Sequence, residues 1–198
     1  MERDELILKE INRWQCILGR HIKELAGFSG SRACDRRLKI LLTAGYINRK
    51  KILFGIPYIY TLTNKSKKYL NLPIREDKIR IEQIKHDITV LDVLISLMNQ
   101  SGLTLDNVIS EKELHRLDGF GVRKHKPDFV INEKDKKVAI EIELSLKAVK
   151  TLEKNIKDNF MNYDIQIWYI ERNNIKLNNI LNEFQEKYSN LEIKYLER

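Results

Sequence analysis

The chain has 198 residues, of which 42% are hydrophobic and 32% charged, with a formal net charge of +8. That balance excludes a disordered chain. No run approaches the roughly 18 apolar residues of a membrane-spanning helix, and the opening "MERDELILKE" lacks the apolar core of a secretory signal. A cytoplasmic protein without a membrane partner is therefore expected. Cys16 and Cys34 have no CxxC spacing and no His pair, which argues against a disulfide framework or a zinc site. The charge is unevenly distributed. Residues 1–75 hold 16 Lys and Arg against 6 Asp and Glu, a balance of +10, whereas residues 76–198 hold 20 against 22, a balance of −2. A positive field confined to one segment suits a polyanionic partner.

In chain order, residues 3–17 predict a helix. The stretch "RHIKELAGFSGSRACDRRLKILLTAGY" then predicts helix, turn and helix, with "GFSGS" as the break and Ser29 or Ser31 as N-cap of the second helix. On that helix Cys34, Leu38 and Leu41 share one face, and Arg32, Arg36 and Lys39, with Arg37 beside them, lie away from it. Gly45 ends it. "YINRKKILFGIPYIYTLT" predicts a hairpin around Gly55-Ile56-Pro57 whose first arm carries Arg49, Lys50 and Lys51. Pro73 marks a joint, so the domains are expected at 1–74 and 75–198.

The second segment opens with a predicted helix over 78–99, in which Ile81, Ile84, Ile88, Leu91, Ile95 and Met98 form one apolar stripe. Ile79, Val90, Val93 and Leu97 form a second on roughly the opposite side, so this helix is expected to be packed on two sides. Glu82 and His86, four residues apart, share a face and read equally as a satisfied polar contact or as site residues. Strands follow at 103–110, 127–132 and 137–144, then a helix over 146–161, a strand over 164–171, a helix over 174–188 and a strand over 191–197. The strand "KVAIEIEL" raises a question of its own. Glu141 and Glu143, two residues apart, point to one face about 7 Å apart along the chain. Like charges placed so repel unless a cation lies between them.

Together these elements resemble an N-terminal winged helix-turn-helix followed by an αβββαβ restriction-endonuclease-like domain, an α/β chain that is α+β overall. The first likeness rests on "LLTAGYI" leading into a basic hairpin, and the second on the PD-(D/E)xK signature. Pro127-Asp128 is followed, 13 residues after the aspartate, by Glu141-Ile142-Glu143. By this resemblance Asp128, Glu141 and Glu143 would hold Mg²⁺ or Mn²⁺ through hard oxygen ligands, with the Ile142 carbonyl as a further oxygen. The signature's lysine is replaced by Glu143, and Lys147 is the candidate substitute. Lys147, Lys150, Lys154 and Lys157 also share one predicted helix face, either a solvated surface or a phosphate track. Arg32, Arg36, Arg37, Lys39, Arg49, Lys50, Lys51, Arg123, Lys124 and Lys126 would contact DNA, although winged helices also mediate protein contacts.

The two-part layout, with "SEKEL" and "AIEIELSLK", is similar to the plasmid replication-relaxation proteins and to MobC-type mobilisation relaxases. That likeness implies a metal-dependent DNA endonuclease or nickase acting at a plasmid or mobile-element origin or promoter. Its implied partners are double-stranded DNA and other relaxosome or replication proteins, and either half is compatible with a homodimer. It also implies assisting roles for Glu111 and His86, and Tyr163 is the tyrosine nominated as a covalent nucleophile. Glu143 in the lysine position favours the alternative, a non-catalytic DNA-binding regulator or accessory factor with an idle nuclease fold.

Overall fold

The computed structural model describes residues 2–74, 79–118 and 124–197. The chain divides into two compact units, Met1–Gly102 and Leu103–Arg198. Both mix helices and strands, with a three-stranded sheet in the first and a five-stranded sheet in the second. Among the described residues no helix is long and apolar enough to cross a membrane.

In the first unit, α1 (Glu2–Trp14) turns Ile7, Leu8 and Ile11 inward. A short β1 (Ile17–Leu18) leads into α2 (Gly19–Leu25). The chain breaks at Gly27, whose φ of 63° is the left-handed conformation glycine tolerates, and enters α3 (Ser31–Thr43). α3 buries Cys34, Leu38 and Leu41, as their four- and three-residue spacing predicts. Its N-cap is Gly30 without a side-chain cap, and Ser31 is the first helical residue, so neither expected serine serves as the cap. At its other end the Gly45 N–H donates to the Leu42 carbonyl at 3.0 Å and the Tyr46 N–H to Leu41 at 2.9 Å. These bonds satisfy the last carbonyls of the helix.

β2 (Ile47–Lys50) and β3 (Ile59–Leu62) pair antiparallel, with Ile47 opposite Leu62. β1 joins the far side of β3. α4 (Asn64–Tyr69) starts at a Thr63–Ser66 capping box. α5 (Ile84–Ser101) begins later than its periodicity predicts. A 3-10 turn, Ile81–Gln83, precedes it and leaves Ile81 59% exposed, outside the apolar stripe. α5 packs on α2 and β1, so the division into units falls after it and not at the expected joint near Pro73.

A polar contact fastens α2 to α5. The His21 ring is fully buried, and its Nδ1 accepts the Leu18 N–H at 3.3 Å. Nε2 therefore carries the proton and donates to Asp92 Oδ1 at 3.0 Å. Arg20 grips the same carboxylate through Nε and Nη2 at 3.2 and 2.8 Å. Burial pushes the His21 pKa down despite Asp92.

In the second unit the sheet order is β4 (Val108–Ser110), β5 (Phe129–Glu133), β6 (Lys136–Glu143), β7 (Ile165–Ile170) and β8 (Leu191–Tyr195). The pairs β4/β5 and β5/β6 are antiparallel, and β6/β7 and β7/β8 are parallel. Two helices, α7 (Val149–Asn162) and α8 (Ile175–Lys187), contribute Leu152, Ile156, Leu177 and Leu181 to a core built around Trp168. The strands fall near their predicted places except the first. There only 108–110 is extended, and Leu105–Asn107 is a 3-10 turn. A helix that the sequence reading did not anticipate, α6 (Glu111–Leu117), starts at a capping box in which Ser110 and Glu113 bond reciprocally. α7 starts at Val149, so Lys147 precedes it and does not share a helix face with Lys150, Lys154 and Lys157.

Asp92→Ala removes the acceptor of a buried N–H, and the first unit should lose about 1–3 kcal/mol in denaturant unfolding. The folded His21 pKa is depressed, so the unfolded chain binds the proton more readily. This contribution is present above the unfolded value of 6.5 and is lost as pH falls. Hydrogen exchange of α2 and α5 amides should accordingly accelerate on acidification, relative to intrinsic rates.

Candidate functional site

β6 is the central strand of its sheet, and its last six residues are buried. A strand covered on both faces ordinarily reads as unbroken Val, Ile and Leu. Here Glu141 and Glu143 alternate with Ile140 and Ile142 and are only 4% and 3% exposed. Glu141 lies beside Trp168 in the parallel pairing, so both carboxylates point to the face that α7 covers.

The antiparallel register places Phe129 opposite Ile140, and extending it by one residue sets Asp128 beside Glu141. Asp128 Oδ2 accepts the Ile142 N–H at 2.7 Å, and its main-chain carbonyl accepts the Glu111 N–H at 3.0 Å. The carboxylate thus prolongs the ladder past the end of the β5/β6 pairing while standing on the same face as the two glutamates.

Each glutamate has a cationic or proton-bearing partner. His125 Nε2 lies 2.6 Å from Glu141 Oε1, and Asn159 Nδ2, from the buried face of α7, donates to the same oxygen at 2.7 Å. Lys147 Nζ forms an ion pair with Glu143 Oε2 at 2.7 Å. That oxygen is fully buried and receives no aligned hydrogen bond. Burial raises the Glu141 pKa, with the Asp128 charge adding to it and His125 and Asn159 opposing. Burial lowers the imidazole pKa, but the Glu141 contact and the Asp128 charge outweigh it and hold His125 above its usual range. The His125–Glu141 pair therefore keeps its shared proton to higher pH than either group would alone. For Lys147 burial is likewise overcome, by Glu143 first and then Glu141 and Asp128, and its pKa is raised.

The structure therefore gathers Asp128, Glu141, Glu143 and Lys147, as the spacing predicted, and adds His125 and Asn159. The Glu111 carboxylate pairs with His115 at 3.4 Å, and its main-chain N–H donates to the Asp128 carbonyl at 3.0 Å. His86 belongs to the first unit, where its Nδ1 is 3.5 Å from Asp87. The Tyr163 phenol is pushed up to about 12 by burial, with the Glu141 and Asp118 charges adding, a poor setting for a phenolate nucleophile. Among the described residues no three His, Cys, Asp or Glu side chains form a metal cage. The donor set is nevertheless all carboxylate oxygen, the class a hard divalent cation prefers, although Glu143 Oε2 is already engaged by the Lys147 ammonium.

Of the expected DNA contacts, Arg32, Arg36 and Lys39 are exposed on α3, and Arg49, Lys50 and Lys51 are exposed on the hairpin. Arg37 is bound in a two-pronged ion pair to Asp4 of α1 and holds that carboxyl below the usual range. Lys124 is exposed. Lys126 is paired with Asp118 at 2.6 Å with its side chain 14% exposed, which leaves little of its charge for a phosphate. Arg123 lies outside the described residues.

Both members of the His125–Glu141 pair have raised pKa values, so the folded unit holds these protons more tightly than the unfolded chain. The contributions are present below the unfolded values, 4.5 for Glu141 and 6.5 for His125, and are lost as pH rises. Hydrogen exchange of β6 amides, corrected for intrinsic rates, should therefore accelerate with alkalinity. Glu141→Gln should remove most of that dependence and lower the His125 ring titration, because burial then acts without the Glu141 charge that opposes it. No protein-family model, no curated protein and no solved structure matches this chain, so its functional reading rests on this geometry.

Proposed function

We propose that the chain binds double-stranded DNA through its first unit and cleaves a phosphodiester bond with Mg²⁺ or Mn²⁺ in its second, in the mobilisation or replication of a plasmid or mobile element. The observation that carries this reading is the placement of Glu141 and Glu143 on the buried face of the central strand, beside Asp128. Buried ion pairs are often no more stable than apolar residues of similar size, so stability alone would favour Val or Ile at both positions. The order strand, strand, helix, strand around these residues, with "PD" and "ExE" at adjacent strand ends, resembles the PD-(D/E)xK nucleases. In the first unit the order α1, β1, α2, α3, β2, β3 resembles a winged helix, and its exposed cations lie on α3 and the hairpin, the two elements such domains lay on DNA.

In this reading Asp128, Glu141 and Glu143 supply the oxygen ligands. A bound Mg²⁺ or Mn²⁺ would contribute Lewis acidity toward a phosphoryl oxygen and a lowered pKa for water. Lys147 offsets the extra charge of Glu143 and brings to the site, from four residues further on, the cation that position 143 lacks. Asn159 fixes the Glu141 carboxylate in one orientation, and His125 holds or releases a proton at its Oε1. A second reading is favoured by the same Oε1, which both His125 and Asn159 already engage. A polar network satisfied from within fits a regulator or accessory factor whose core no longer cleaves.

Supercoiled DNA carrying the protein's own upstream region separates the two. A nickase should relax it with Mg²⁺ or Mn²⁺, Asp128→Ala and Glu141→Ala should fall to background, and Asn159→Ala should lose about 10–100-fold as a supporting residue. Binding without relaxation under either metal would sink the nuclease reading and leave the regulator.

A further inference from the structure

The loop between β2 and β3 reads "KILFGIPY", and its four large apolar residues are not used alike. Ile52, Leu53 and Ile56 pack on the buried cluster formed by Cys16, Leu18, Ile59, Ile84 and Ile88. Phe54, the largest of the four, is turned fully into solvent at 104% relative exposure. Chain length does not force this, because both neighbours of the Phe54-Gly55 corner dock on the core. The corner is a tight turn in which the Ile56 N–H reaches the Leu53 carbonyl at 3.4 Å. Gly55 sits at the third position with φ of 78°, the left-handed conformation such a turn requires. Lys51 Nζ closes the loop by donating to the Ile56 carbonyl at 2.7 Å. The Arg49 guanidinium stacks on the Tyr58 ring, 4.7 Å from its centroid, with the Lys51 ammonium 5.8 Å from the same ring.

The tip is therefore an aromatic ring on a braced stalk, with Arg49, Lys50 and Lys51 exposed on the adjoining arm. Leaving a Phe ring in water forgoes the stabilisation of burying it, and the braced loop holds it there. A protein or lipid surface would match the ring. A duplex matches the ring and its cationic flanks together, because its stacked bases lie between its phosphates, and the basic excess of residues 1–75 favours it. We propose that Phe54 is a wedge that stacks into a base step of double-stranded DNA while Arg49, Lys50 and Lys51 hold the flanking phosphates. Apolar side chains inserted between base steps unstack and kink a duplex, and aromatic–base stacking is tolerant of sequence. The proposal rests on the DNA-binding reading above but is independent of whether the second unit cleaves.

The test uses the full chain and a fluorescent duplex from its own upstream region, with 2-aminopurine placed across the site. Phe54 touches no core residue, so Phe54→Ala folds, and thermal unfolding verifies this. It should weaken duplex binding roughly 5- to 150-fold and abolish the rise in 2-aminopurine emission, with the salt dependence of binding unchanged. Lys50→Gln should instead reduce the salt slope by about one unit, and Phe54→Trp should keep the affinity with its indole emission quenched on binding. Wild-type binding to the duplex matched by Phe54→Ala, or a loss confined to single strands, would overturn the wedge and leave DNA binding standing. Failure of the wild-type chain to bind the duplex at all would overturn both.

Discussion

The second unit is organised by the burial of carboxylates on its central strand. At an effective dielectric constant of about 20, two negative charges about 7 Å apart repel by about 2 kcal/mol, and an opposite charge at contact distance returns about 4 kcal/mol. One cation for each glutamate is therefore enough to make β6 tolerable. His125 and Lys147 arrive from the two chain segments that flank the β5/β6 pair. Attraction offsets repulsion, but it does not recover the several kcal/mol of desolvation that each buried ion incurs. Stability accounts for why the partners are present once the glutamates are. It gives no account of the glutamates themselves.

Among the described residues of the first unit, the buried His21 is paired with Asp92, whose carboxylate Arg20 also grips. Arg37 is drawn into an intramolecular pair with Asp4, which removes one of the cations the sequence offered to DNA. The exposed set on α3, Arg32, Arg36 and Lys39, remains on one side of a helix whose other side is fixed in the core by Cys34, Leu38 and Leu41. On the hairpin Arg49, Lys50 and Lys51 are likewise exposed.

Much of this was legible from residue spacing. The hairpin, the buried face of α3 and the three central strands follow from period and turn chemistry, and the shared face of Glu141 and Glu143 follows from alternation along a strand, whereas Asp128 is joined to them through the resemblance to the PD-(D/E)xK signature. What escaped has identifiable causes. α6 was signalled by Ser110 and Glu113, an S-x-x-E capping box, but the residues just before it are β-branched and apolar and read as a longer strand. α5 loses its first turns because Ile81 obeys the helical period without having a core to meet. Asn159 could have been found, since Leu152, Asn155, Ile156 and Asn159 fall on one helix face and two asparagines interrupt it. His125 could not, because its contact with Glu141 depends on how the loop before Asp128 folds back, and no periodicity encodes that.

Position 143, where the proposed likeness to the PD-(D/E)xK nucleases calls for lysine, is also one whose charge the structure compensates. With lysine at 143 the site would carry two carboxylates and a cation on one strand face. With glutamate there, Lys147 must reach back to Oε2, and its ammonium is engaged by Glu143 before it can act on anything else. His125 then becomes the second positive or proton-bearing group near the three carboxylates, and its proton is held jointly with Glu141. If the carboxylates take a divalent cation, that cation and the shared proton compete for the same oxygen of Glu141. Occupancy should then tighten as pH rises, because deprotonation frees the ligand. An idle core has no such competition, so its His125 titration would be indifferent to Mg²⁺. Following the His125 ring resonances against pH, with and without Mg²⁺, therefore reads the state of the site without requiring a DNA substrate: a metal-dependent fall in the apparent pKa supports a working centre, and superimposable curves support a scaffold.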